Sequence, residues 1–381
     1  MMESQLILPK RNVEFCRTNT DSENTIKQMI ELAVRGLIKM YIPEKKLFCF
    51  TRKKNGSEIL NEGLSYRYSI ISALGLYQYQ KSSTQSPIKV HDILSQLINK
   101  ADTIQSIGDL GLLLWLCALV SPEQLEQLFI ELDVENALTN FKDARLGLTV
   151  ELAWFLSGLS HISIALVNVP TNLDYLTIKT YELLMRNYYK KGLFGHSFGN
   201  NIAGKIRSKI GCFADQVYPI YALSTFAKAF NRNVPGAAVD CGRTICQLQG
   251  PLGQWWWHYN AKSGRMIGRY PVSATHQNGM APMALFALAE VSDLDFTSSI
   301  LKGLKWMNKN NELGTDFIDT SRNVVWRSLY KDKYKLYYEN ILSLSGVNRN
   351  QNGKHDLKIN WECRPYHLGW LLYAFSSKLY R

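Results

Sequence analysis

No apolar run in the sequence is long enough to cross a bilayer. The longest, GLLLWLCALV at 111–120, ends at once on Ser121-Pro122, well short of the roughly 20 residues a spanning helix needs. No CxxC pair occurs among the seven cysteines, and their number is odd. That usage fits a reducing compartment better than a disulfide framework, and predicts a cytoplasmic protein. The start of the chain, MMESQLILPKRNVEFC, sets an acid before its short apolar patch and has no small-residue cleavage site, unlike a secretory leader. GxxxxGK[ST] is missing, which excludes P-loop nucleotide hydrolysis. HxH, HExxH and Cys/His pairs at ligand spacing are missing too, so neither metal nor cofactor is expected. GxSxG does not occur, and nothing around Cys363 marks it as an activated nucleophile.

What remains is a chain of 381 residues, 46% hydrophobic and 12% aromatic, able to build a large core. Lys and Arg number 44 against 32 Asp and Glu, a net charge of +12 that favours anionic partners. The basic clusters at 10–12, 51–54, 204–209 and 330–335 are short and scattered, with no nucleic-acid motif beside them. Nucleic acid is therefore not expected as a partner, and a small-molecule substrate, an oligosaccharide on the reading of the mouth residues below, could be anionic or neutral.

Helical periodicity dominates. Residues 21–42 carry apolar side chains at 26, 29, 30, 33, 34, 37 and 38, a one-sided stripe that predicts a surface helix. The segment 63–79 is apolar on more than one face, and 90–102 is more polar. This couplet recurs: 107–120 with 121–132, 145–160 with 173–189, 213–230 with 236–249, and 278–291 with 296–310. In the second couplet Ser121 and Pro122 read as N-cap and first helical residue. The closing helix, 365–380, is left with the first amphipathic one as its partner. A helix that is apolar all round needs neighbours on every side, whereas an amphipathic one needs a core on one side only. Two concentric rings supply both, so the predicted fold is all-α, an (α/α)6 toroid. It would span 21–381 as one domain behind an N-terminal extension, 1–20. An open solenoid of the HEAT type is the alternative, but its repeats are more even in length. Here the connections lengthen along the chain, as loops built over one mouth would.

In a toroid the inner helices run the same way and their N-termini meet at one mouth. The polar residues at those entrances are Glu62 and Arg67, Asp109, Glu151, Asp215 and Gln216, His276, Gln277 and Asn278, and Glu362, Arg364, Tyr366 and His367. Asp109 and Asp215 also suit helix caps. Glu151 could pair with Arg145, and Glu62 with Arg67. The loop at 192–211 adds His196, Asn200, Asn201, Lys205 and Arg207. A further element is GQWWWHYN at 253–260. Neither a helix nor a strand can bury three consecutive indoles on one face, so Trp256 or Trp257, with Tyr259, is expected to wall the mouth.

The segment QGPLGQW at 249–255 resembles the Q-x3-G-x-W part of the QW motif of squalene and oxidosqualene cyclases, which are also α/α toroids. In that family the glutamine and tryptophan tie an outer helix to the following turn, which implies the same duty for Gln249 and Trp255. PYHLGWLLYAFS at 365–376 is similar to the zinc-histidine helix of protein prenyltransferase β subunits. The chemistry of neither family is carried over. DxDD is absent, SDLD at 292–295 lies at the wrong end of a helix, and of DxC only Asp240-Cys241 is present. Such toroids also resemble polysaccharide lyases, unsaturated-uronyl hydrolases and the helical domain of glucuronyl C5-epimerases. The mouth residues favour that group, because indole faces stack on sugars and arginine pairs with a uronate carboxylate.

The expected function is acid–base chemistry on an acidic or neutral glycan, by a lyase, epimerase or hydrolase. Arg364 is the candidate for holding a carboxylate, His276 and Tyr366 for exchanging a proton, and Glu362, Glu151 or Asp215 for a second acid or base. Trp256, Trp257, Tyr259, Gln277, Asn278, His367, His196 and Arg67 would contact substrate. A terpenoid cyclase or prenyl-binding enzyme, and a non-catalytic toroid gripping an anionic partner, are the alternatives.

Overall fold

The computed structural model describes residues 20–82, 86–166, 170–198, 208–331 and 356–379. Its long helices are α1 (Thr20–Met40), α2 (Tyr66–Ser82), α3 (Val90–Ile98), α4 (Ile107–Val120), α5 (Leu125–Glu131), α6 (Thr149–Ala165), α7 (Leu173–Met185), α8 (Ala214–Ala229), α9 (Gly236–Gln247), α10 (Ala281–Glu290), α11 (Thr297–Met307) and α12 (Pro365–Leu379). The even-numbered helices form the inner ring. Neighbours pack in chain order, α2 on α4, α4 on α6, α6 on α8, α8 on α10 and α10 on α12, and α12 returns to α2 and closes the circle. The last inner helix also packs on α1, the partner that chain order leaves for it.

Composition explains the two rings. In α4 almost every residue is buried, Leu112, Leu113, Leu114 and Trp115 fully so, because neighbours stand on all sides. In α1 burial follows the stripe Ile26, Met29, Ile30, Ala33, Val34 and Leu37, while Ile38 turns outward. A fully buried side chain of this size contributes about 1.5–3 kcal/mol. The inner ring's tightest crossings use facing glycines: a Cβ on Gly75 would meet the backbone of Gly369, and one on Gly158 the backbone of Gly111. Trp115 and Trp370 fill the axis, their ring centres 5.8 Å apart.

Several local features differ from the sequence reading. Ser121 does not cap a helix: Pro122–Gln124 form a 3-10 turn, and the Ser121 hydroxyl lies 3.3 Å from His91 Nδ1. The helix expected from 145 starts at Thr149, because Gly147 breaks it in the left-handed region at φ 65° after the short helix Lys142–Leu146. A π turn, His276–Met280, precedes α10. Small antiparallel sheets, unexpected in an all-α reading, lie before the inner helices. Thr51–Asn55 pairs with Glu58–Glu62 and with Glu362–Cys363, Ile210–Cys212 with His258–Asn260, and Ser328–Lys331 with Val272–Ser273 and Leu357–Asn360. They gather the outer-to-inner connections at the N-terminal mouth. No helix among the described residues is long and apolar enough to cross a membrane.

Candidate active site

A cavity of about 420 Å³ opens at that mouth. Three inner helices line it with residues spaced i, i+4, which stack one above the other on a helix face. The pairs are Arg67 and Ile71 on α2, Val150 and Trp154 on α6, and Ala214 and Tyr218 on α8; the π turn adds His276 and Met280, and α12 adds Tyr366. The sheets add Ser273, Ser328, Tyr330 and Asn360, the residues just before their strands add Trp257, Pro271 and Arg327, and Tyr68 completes the wall.

The carboxylates stand behind this lining. Arg67 pairs with Asp109 and lies 3.3 Å from Glu151, while its guanidinium rests 5.0 Å over the Trp154 ring. The Ser106 hydroxyl donates to Glu151 and accepts the Gly108 and Asp109 N–H groups at 3.1 and 3.4 Å. Ser106, not Asp109, is thus the cap of α4, and Glu151 pairs with Arg67 rather than with Arg145. Burial raises the Glu151 pKa, and the Arg67 charge and the Ser106 bond pull it back. On the opposite wall Glu362 accepts from Arg327, and from Arg364 Nε at 2.9 Å. Arg364 also donates to the Tyr68 hydroxyl at 2.8 Å and lies 4.6 Å over the Phe50 ring. Arg364 therefore braces the wall, and the guanidinium that lines the cavity on this side is that of Arg327.

His276 is almost fully buried, stacked on Trp257 at 5.4 Å and tilted against Phe213 at 4.6 Å. Burial pushes its pKa down to about 3, against a hydrogen bond with the Trp255 backbone that raises it. The ring is neutral at any working pH, and its Nδ1 has no partner among the described residues. Tyr366 lies 4.6 Å from the Tyr68 ring, and burial pushes its phenol up to about 12 while Arg327 and Arg364 draw it down. His367 accepts the Arg364 N–H on Nδ1 at 3.4 Å, a cap for α12. Burial, then the cations of Arg327 and Arg364, holds its pKa well below the usual range.

Of the residues picked from sequence, Arg67, Trp257, His276 and Tyr366 share the cavity. Glu151, Glu362, Arg364 and His367 lie just behind it. Asp215 is wholly buried: it accepts the Cys212 N–H at 2.8 Å, as a cap would, and holds His196 Nδ1 at 3.2 Å. Gln216 clamps the Phe194 backbone with bonds of 2.8 and 2.9 Å, and Gln277 donates to the Ser273 carbonyl at 3.2 Å. Neither amide atom of buried Asn278 has a partner among the described residues. Trp256 and Tyr259 do not line the cavity, contrary to expectation. Trp256 packs edge-on against Tyr270 under Arg269, and Tyr259 is fully buried in its strand. Asn200, Asn201, Lys205 and Arg207 lie outside the described residues. Sequence reasoning missed Tyr68, Trp154, Tyr218, Arg327 and Asn360.

The glutamine expected to tie scaffold elements does so. Gln249 Nε2 donates to the Gly253 and Ser299 carbonyls, both at 3.0 Å, joining the end of α9 to the next turn and to α11. Gly253, at φ 101°, approaches the Lys302 carbonyl so closely that a Cβ would collide with it. Trp255 is buried against Phe213 at 5.5 Å. Among the described residues no group of three or more His, Cys, Asp or Glu side chains could hold a metal ion.

Together these features define the class, an α/α toroid with an arginine-lined, aromatic-walled cavity at one mouth. No protein-family model and no curated protein sequence matches the chain. Solved structures do. The unsaturated glucuronyl hydrolase of Streptococcus agalactiae is similar in fold, with a TM-score of 0.59 at 11% identity over 98% of this chain and 96% of that one. The unsaturated glucuronyl hydrolase of Bacillus sp. GL1, responsible for glycosaminoglycan degradation, gives a TM-score of 0.58 at 11% identity over 92% and 94%. An inactive variant of the α-1,6-mannanase GH76A of Salegentibacter sp. HEL1_6, in complex with α-1,6-mannotriose, gives 0.55 at 12% over 94% and 99%. These likenesses span nearly the whole toroid and establish the fold. The likeness to cyclases stays local, in the Gln249–Trp255 element.

Proposed function

We propose that this chain is a carbohydrate-active enzyme that binds a uronate-bearing glycan in the N-terminal mouth and moves a proton at the sugar carbon beside the carboxylate. One observation carries the reading: among the described residues the cavity is lined by two arginines, indoles and phenols and by no Asp or Glu, while the carboxylates that balance the arginines stand behind them. A guanidinium held from behind presents its remaining N–H donors to an incoming carboxylate. Trp154, Trp257 and Tyr218 offer faces for sugar rings. The similar folds of enzymes named for glucuronyl and mannan substrates support the substrate class.

The chemistry follows from the charges. Arg67 and Arg327 neutralise the uronate carboxylate, which lets charge from the adjacent carbon spread into it when the C5 proton leaves. His276, unprotonated, is the proposed acceptor. An anion bound beside it raises its pKa again, so it becomes an effective base only when substrate is present. Tyr366, protonated over the working range, gives a proton either to the oxygen leaving C4, which is elimination, or back to C5 from the other face, which is epimerisation. In both the proton count is unchanged. Two-carboxylate hydrolysis fits less well, since it needs a pair of Asp or Glu flanking the bond.

The test is loss of the C5 proton. Uronate-containing oligosaccharides are incubated with the protein in heavy water and followed by NMR, with a neutral mannan in parallel. Either deuterium should enter C5 of at least one uronate or a C4–C5 double bond should form in it, and His276→Gln and Tyr366→Phe should each slow that reaction at least about 100-fold. Cleavage of the neutral glycan with neither exchange nor elimination in any uronate would sink the proposal.

A further inference from the structure

A second cavity, of about 270 Å³, opens at the opposite mouth. Every inner helix reaches it from its C-terminal half, through Gln78, Leu119, His161, Lys228, Glu290 and Tyr373. Among the described residues it shares no lining residue with the first cavity. Between the two lies an aromatic plug. Tyr218 of the first cavity is 5.9 Å from Trp370, which is 5.8 Å from Trp115, which stacks 4.8 Å from Tyr221 of the second.

The second cavity holds a built polar relay. His161 Nε2 lies 3.1 Å from the Tyr221 hydroxyl, itself 2.7 Å from the Tyr373 hydroxyl. Trp115 stacks on the imidazole at 4.9 Å and 10°, fixing its plane. Burial, then the charge of Lys228, pushes the His161 pKa down to about 3, so the ring is neutral, with one N–H and one lone pair. A chain of two hydroxyls on such a ring runs in either direction. Its far end, Tyr373, therefore offers a proton or a lone pair as required.

Among the described residues the charges at this mouth oppose one another. Glu290 accepts from Lys378 at 2.8 Å and lies 3.8 Å from Lys228. The two ammoniums and one carboxylate leave a single positive charge, and the converging C-termini of the inner helices oppose it. An anion meets those carbonyl ends and a cation meets the lysines, so neither sign is favoured. Phe286 and Met283 supply apolar wall.

We propose that this cavity is a second binding site, taking a neutral, hydroxyl-rich molecule the size of one sugar ring. Hydroxyl groups donate and accept at once, and so match the relay whichever way it runs. The volume, near the small end of ligand pockets, suits one ring and not a chain. The inference stands independently of the uronate reading of the first mouth.

Calorimetric titration of the intact protein with glucose, mannose and galactose tests it, with glucuronate and glucosamine as charged counterparts. At least one neutral hexose should bind saturably and more tightly than either charged sugar. That affinity should fall about tenfold in Tyr373→Phe and in Glu290→Gln, each checked for an unchanged far-ultraviolet spectrum. It should be unaffected in Trp257→Ala, which alters only the first cavity. The proposal is overturned if none of the three hexoses binds, if a charged sugar binds more tightly, or if binding is lost in Trp257→Ala and kept in Tyr373→Phe.

Discussion

His276 makes the fold sensitive to acid in a way that one substitution isolates. Its pKa is about 3 in the folded chain, set chiefly by burial, against about 6.5 when unfolded. Between those values the unfolded chain binds a proton that the folded chain refuses, so stability is complete above pH 6.5 and is lost as pH falls. The loss is about 1.4 kcal/mol per pH unit once below the unfolded pKa, or about 2 kcal/mol from this residue between pH 7 and pH 5. His161 and His367, also held low by burial, act in the same direction. His276→Gln keeps a planar polar side chain and removes the titration. Urea unfolding of both proteins at pH 7 and at pH 5 isolates the term, because contributions common to the two cancel. The variant should lose about 2 kcal/mol less than the parent on acidification. An equal loss in both would show that the imidazole titrates freely in the fold, and would remove the argument that it enters the reaction unprotonated.

Three further outcomes follow from contacts already described. Arg67→Met leaves Glu151 and Asp109 without their cation and should cost about 3–5 kcal/mol. Adding Glu151→Gln should recover part of that in thermal melts, and no recovery would mean the pair is not coupled. Trp255→Ala empties a buried site and should cost about 3–5 kcal/mol while leaving glycan affinity unchanged. Trp257→Ala should do the reverse, weakening glycan binding about tenfold with little change in melting temperature, and identical effects from the two would refute the division between scaffold and site. Gly75→Ala pushes a methyl into the Gly369 backbone and should lower stability by about 1–3 kcal/mol, read by chemical unfolding; a neutral result would place the α2–α12 crossing wider than described.

The rings were legible because burial on every side leaves its mark on composition, and six helices apolar all round have few arrangements open to them. The small sheets were not, since arms of two to five residues express no period. Within the site the helix entrances led to Arg67, His276 and Tyr366. The choice of Glu151 and Asp215 was one residue off. Charge drew attention to them, yet the cavity faces Val150 and Ala214 with Trp154 and Tyr218 a turn further on, and one residue is about 100° around a helix. Counting i, i+4 from Arg67 and His276 and asking which aromatics share their level would have found Trp154 and Tyr218. Arg327 lay in a long connection without helical pattern. Its signal was a lone arginine inside the apolar and aromatic run NVVWRSLY.

The central claim is that Arg67 and Arg327 give the N-terminal mouth its preference for a carboxylate. The most direct measurement compares the affinity of one uronate oligosaccharide with that of the same oligosaccharide after reduction of its carboxyls to primary alcohols, for the parent and for Arg327→Met. Reduction should weaken binding to the parent about 100-fold, the loss of two charge-assisted contacts. The variant should lose most of that discrimination. Equal affinity for the acidic and the reduced oligosaccharide in the parent protein would contradict the claim.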